Sequence, residues 1–207
     1  MISQEERFLR ILFPARTRVG PWLLVPSLTV GHLLLLRRLR NPFGQVVPLE
    51  EIEAGRADVS EAVTVLSMGW REAWELFSGA HPWRLRWALW RRTTANYLLA
   101  AARAMAISDY IQAAFSRPST IARADGGKRK ATPPLQAPYW LVMVHRLIDA
   151  GHTLGEVLDM PVSLVLWKAA AADEDRGVLV WCSEAEEAVQ NQVRDEIAKA
   201  QAAFVNQ

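Results

Sequence analysis

Along most of the chain apolar residues recur at spacings of three and four, while sustained apolar/polar alternation is nearly absent, so the pattern predicts an almost wholly α-helical protein. A first helix is expected from Gln4 to Phe13, stopped by Pro14. Leu28 to Arg40 reads as a second, capped by Ser27 or Thr29 and closed by Asn41-Pro42, with leucines around nearly its whole circumference, the mark of a buried helix. A third is expected from Asp58, with Glu61 completing a capping box, to Ser78-Gly79, carrying Val63, Leu66, Trp70, Trp74 and Phe77 on one face.

Pro82 opens the longest predicted helix, which runs to Phe115 with Trp83, Trp87, Trp90, Tyr97 and Ala101 on a shared face, an arrangement usual for a core. Residues 117–138 then change character to a proline-, glycine- and lysine/arginine-rich run with little to bury, the signature of a linker or exposed loop. Beyond it lie helices from Tyr139 to Ala150, from a Thr153/Glu156 capping box to Asp159, from Pro161 to Asp175, and from Glu184 to Phe204. The last carries Val189, Val193, Ile197 and Phe204 as a narrow stripe flanked by charge. The expected architecture is an all-α multi-helix bundle with a long central helix. An N-terminal domain over 1–116 is followed by the linker and a C-terminal helical region over 139–207.

Composition narrows the class. With 51% hydrophobic and 22% charged residues among 207, the balance is globular, and nine tryptophans against three tyrosines place large indoles in cores, interfaces or both. The single cysteine, Cys182, forms no internal disulfide, and the polar, acidic opening lacks the features of a signal peptide, so a cytoplasmic setting is expected. The most apolar run, Pro21 to Leu36, is short for a membrane span and broken by Pro26, Gly31 and His32; it reads as core, with an interfacial helix as the alternative.

Charge is segregated although the net is only +2: residues 80–130 carry ten basic and two acidic side chains, whereas 153–207 carry four basic and ten acidic. Complementary surfaces are thus available within one molecule or between copies.

Sites for chemistry are hard to find. Gly126-Gly127-Lys128 lacks the upstream glycine and downstream hydroxyl of a phosphate-binding loop. His145, Asp149 and His152 are a thin metal set split by Gly151, and no nucleophile elbow is present. Neither a catalytic, a metal nor a cofactor site is predicted, and the protein is expected to act by binding. One such reading is nucleic acid, through Arg84, Arg86, Arg91 and Arg92 interleaved with indoles and followed by Lys128, Arg129 and Lys130, since guanidinium groups neutralise phosphates and exposed indoles stack on bases.

Protein binding is the other. The stretch from Pro138 to Lys168, with Gly151-x-Thr153-Leu154-x-Glu156-Val157-Leu158 and then Met160-Pro161, resembles small helical proteins encoded among tailed-phage tail genes, of the tail assembly chaperone type. The segment Pro21-Trp-Leu-Leu-x-Pro-Ser-Leu-x-x-Gly-His-Leu-Leu-Leu-Leu, ending in Asn41-Pro42-Phe43, also looks like the start of phage helical proteins. The resemblance covers mainly residues 138–177, about a fifth of the chain. It implies a partner such as a phage tail or tape-measure protein, with association between copies or a place in the virion also compatible. Trp70, Trp74, Met143, Met160 and Trp167 are the candidate contacts, since aromatic and methionine side chains make adaptable apolar surfaces. Taken singly, each fits a core equally well, and only a contiguous exposed patch separates the two roles.

Overall fold

A computed structural model describes residues 4–45, 54–79, 81–93, 96–118, 120–122, 139–175, 179–182 and eight positions between 185 and 197. Among them the helices are α1 (Gln4–Leu12), α2 (Val30–Arg38), α3 (Arg56–Leu66), α4 (Trp70–Phe77), α5 (Pro82–Arg92), α6 (Tyr97–Ala114), α7 (Tyr139–Asp149), α8 (Leu154–Asp159) and α9 (Val162–Asp175). There are also helical positions between 185 and 197, a 3-10 turn at Pro42–Gly44 and two antiparallel ribbons. One ribbon pairs β1 (Arg18–Val19) with β2 (Trp22–Leu23), the other β3 (Thr120–Ala122) with β4 (Leu179–Trp181). The fold is therefore all-α, as the periodicity predicts.

α2 is the centre. Thr29 caps it by accepting from the His32 amide, and Val30, His32, Leu33, Leu35 and Leu36 are all buried against α3, α4, α8 and the 3-10 turn. Burying a leucine contributes roughly 1.5–3 kcal/mol relative to leaving it exposed, so this element carries much of the core. It ends as the sequence suggests, before Asn41-Pro42: Asn41 donates its amide to Leu36 and Arg40 turns left-handed at φ 57°. The Asn41 side chain then donates to Glu61 and to the Asp58 carbonyl and accepts from the Phe43 amide. Burial pushes the Glu61 carboxyl up, partly offset by the Asn41 contact.

Three expectations need correction. Helix α3 begins one turn early, with Asp58 accepting from the Gly55 amide, so Asp58 is inside the helix and Glu61 is free to hold Asn41. The expected helix over 58–79 is two, because Ser67-Met68-Gly69 turns the chain. At that turn the Met68 carbonyl accepts from His32 Nε2 at 2.9 Å, leaving Nδ1 to accept from the Thr29 hydroxyl at 2.8 Å. A carbonyl can only accept, so the His32 ring is the neutral Nε2–H tautomer; its burial pushes its pKa down, against the opposing effect of the Met68 bond. Likewise the expected helix over 82–115 breaks between α5 and α6, where Thr93 closes one and Asn96 caps the other by accepting from the Leu98 amide.

The C-terminal helices join the same core. Val30 donates to the Met160 carbonyl and Val162 to the Leu28 carbonyl, at 3.0 and 2.9 Å, zipping the start of α2 to the α8–α9 junction. Met143, Leu147, Val157, Met160, Val162 and Val165 belong to one hydrophobic cluster with α2 and α3. Trp70 lies on Gly31, where an added Cβ would come within 2.5 Å of the indole, and its Nε1 reaches Asp159 at 2.6 Å. Arg71 grips the same carboxylate at 2.7 and 2.8 Å, so Arg71 and then Trp70 hold Asp159 below the ordinary carboxylate pKa. Capping by Thr153 and Glu156 forms as expected, with the Thr153 amide 2.8 Å from the Glu156 carboxylate. Within the expected linker, residues 120–122 form β3, a strand too short to leave a periodic signal in sequence. Residues 119 and 123–138 of the expected linker lie outside the described residues, as does the end of the last expected helix, 198–204.

Candidate functional site

The largest indoles do not enter the core. Of the seven tryptophans whose side chains are described, only Trp167 is buried. Helix α5 shows why: Leu85, Ala88, Leu89 and Arg92 face inward on α3, with the Ser60 hydroxyl donating to the Leu89 carbonyl at 2.9 Å. At about 100° per residue, Trp83, Trp87 and Trp90 then fall within roughly 60° of one another on the side directly away from that contact. They are 69%, 53% and 71% exposed. The shared face read from sequence is real, but it is the outer one, because the smaller Leu85, Ala88 and Leu89 fit the close approach to α3.

Arginines border the indole ridge. Arg84, Arg86 and Arg91 are exposed, Arg86 on one side of the ridge and Arg84 and Arg91 on the other. Arg91 lies 4.6 Å from the Trp87 ring and 5.8 Å from the Trp22 ring, and Arg92 lies 4.7 Å from Trp22, which fixes the guanidinium planes by cation–π attraction. Arg92 is half-buried and donates to Ser67 and to the Ala88 carbonyl; burial first, then the nearby Arg91, lowers its pKa. It is a structural residue more than a free ligand. In α6, Tyr97, Leu98 and Leu99 of the first turn and Met105 further along are also exposed.

The sequence-derived contact residues distribute differently. Met143, Met160 and Trp167 are buried, and Trp167 packs on Phe8 at 5.1 Å, so these three are core side chains that a partner does not reach. Trp70 is committed to Gly31 and Asp159, and Trp74, partly exposed, lies under Arg38 at 4.1 Å. Lys128, Arg129 and Lys130 lie outside the described residues. His145 pairs with Asp149 at 3.5 Å on the surface while His152 contacts Lys168. Among the described residues no group of three or more metal-ligating side chains occurs, and no helix is long and apolar enough to cross a membrane.

A cleft of about 700 Å³ opens between α1, the 14–28 segment and the second half of α6, bordered by Arg7, Arg10, Phe13, Asp109 and Tyr110. Tyr110 spends its hydroxyl on the Val25 carbonyl at 3.0 Å, and burial pushes its pKa well above the usual tyrosine range, so it stays a neutral donor. No family model, curated protein or solved structure matches the chain.

Proposed function

We propose that this chain has a non-enzymatic, protein-binding role in phage-like tail assembly, chaperoning or scaffolding a tail or tape-measure protein through the outer face of α5 and the first turn of α6. The observation that carries it is the exposure of Trp83, Trp87 and Trp90 beside a core that is complete without them. An indole presents roughly 150–250 Å² of surface, and contiguous exposed apolar area of that kind marks interaction sites. Rigid aromatic side chains bordered by arginine are also the composition of interface hot spots. The resemblance over 138–168 supplies the tail-assembly context, which sets the work in the bacterial host cytoplasm and, for a retained component, in the virion.

Native purification from cells carrying the neighbouring genes, with nuclease treatment and mass spectrometry of what co-elutes, tests this. Recovery of a long helical tail protein is expected. Nucleic acid released by nuclease, with binding that falls steeply as salt rises, would replace the proposal by the arginine-and-indole nucleic-acid reading. A chain that elutes alone would remove both.

A further inference from the structure

A second exposed apolar stripe lies near the C-terminal end of the chain. All eight described positions between 185 and 197 are helical, and Val189, Val193 and Ile197, spaced i, i+4, i+8, are 61%, 49% and 53% exposed. The stripe and the α5 indoles are thus both exposed in the single chain. Their charges are opposite: residues 184–197 contain five acidic side chains and one basic, whereas 82–92 contain four arginines and no acid. Glu196, bonded to Gln192 at 3.3 Å, borders the stripe, and Glu186 sits one turn before Val189. Their lengths agree as well: Val189 to Ile197 spans about 12 Å and Trp83 to Trp90 about 10.5 Å at 1.5 Å per residue.

We propose that the acidic C-terminal stripe of one copy docks on the arginine-bordered indole ridge of α5 in a second copy. The aliphatic side chains lie on the indoles while Glu196, at the edge of the stripe, faces the arginines that border the ridge. Such a contact is heterologous, each copy offering one half of it at each end, so association proceeds head to tail. The second copy takes the same face as the tail protein proposed above, so the two compete for it, and both rest on the α5 ridge being a binding surface. The two are separable, because self-association is read on the purified chain alone and partner capture is not.

The test is sedimentation over a concentration series with two variants of exposed residues: Trp83→Gln, Trp87→Gln, Trp90→Gln on the ridge, and Val189→Gln, Val193→Gln, Ile197→Gln on the stripe. Far-UV circular dichroism checks that each retains its helix content. The unchanged chain is expected to grow in mass with concentration, less so at high salt, and each variant to stay monomeric. An equimolar mixture of the two variants is expected to form a one-to-one dimer and stop there, since one supplies the stripe and the other the ridge. A milder Arg84→Glu, Arg86→Glu chain is expected to associate roughly tenfold more weakly and serves where the triple ridge variant does not fold. Monomer at every concentration, variants that associate like the unchanged chain, or a mixture that fails to pair would overturn the proposal.

Discussion

Helices α2 and α5 are similar in length, nine and eleven residues, and both are loaded with large apolar side chains, yet six residues of α2 are buried and only Ala88 of α5 is. The difference lies in size and in neighbours. Leucine and valine around α2 tile against four elements, and glycine at 31 lets Trp70 approach. In α5 the small inner face seats the helix on α3, and the indoles, each with a guanidinium nearby in sequence, are left outside. Apolar load therefore does not decide burial; fit on the opposing surface does.

The contrast can be pressed hardest in α2. Leu36→Ala is expected to lower unfolding stability by about 2–5 kcal/mol in chemical denaturation, because the side chain is fully buried and its space cannot close completely. Gly31→Ala is expected to cost about 1–3 kcal/mol, since the new methyl meets the Trp70 indole and must displace it from Asp159. A change in indole fluorescence on that substitution would accompany the loss.

His32 gives the comparison a pH axis. Its folded pKa lies below the ordinary 6.5, so as pH falls below 6.5 the unfolded chain takes up a proton that the folded ring does not, and stability falls until the folded pKa is reached. Glu61, pushed above its ordinary 4.5, acts with the opposite sign, losing stability as pH rises from 4.5 through its folded value. The difference between the unchanged chain and His32→Gln across pH 5 to 7 isolates the histidine, and a difference that does not vary with pH would contradict its buried neutral state.

Smallest in stability is the outer ridge. Trp87→Ala is expected to move stability by no more than about 0.5 kcal/mol, as for most surface substitutions, in thermal or chemical unfolding. A loss of several kcal/mol would mean the indole is a packing residue after all.

Much of this was readable from the sequence, and what was not has local causes. The all-leucine circumference of α2, its stop at Asn41-Pro42 and the Thr153/Glu156 cap are strong one-dimensional signals because each depends on residues within a turn or two. The breaks at Ser67–Gly69 and after Thr93 were hidden because apolar spacing continues smoothly across both, while their side-chain partners, His32 at the Met68 carbonyl and Ser60 at the Thr93 hydroxyl, come from far along the chain. For the site, spacing revealed that Trp83, Trp87 and Trp90 share a face but not which way it points. The arginines at 84, 86 and 91 were the available signal, since guanidinium groups along both edges of a stripe are costly to bury together with it. Met143, Met160 and Trp167 misled because the same side chains suit cores and interfaces equally.

The most direct measurement is partner recovery in co-expression with the neighbouring genes, after nuclease treatment, for the unchanged chain and for Trp83→Ala, Trp87→Ala, Trp90→Ala, normalised to folded protein. The account predicts that a tail protein is recovered with the unchanged chain and that its yield falls roughly tenfold or more with the triple variant at nearly unchanged stability. Equal recovery by both chains would contradict it, leaving the α5 ridge without a role in capturing that partner.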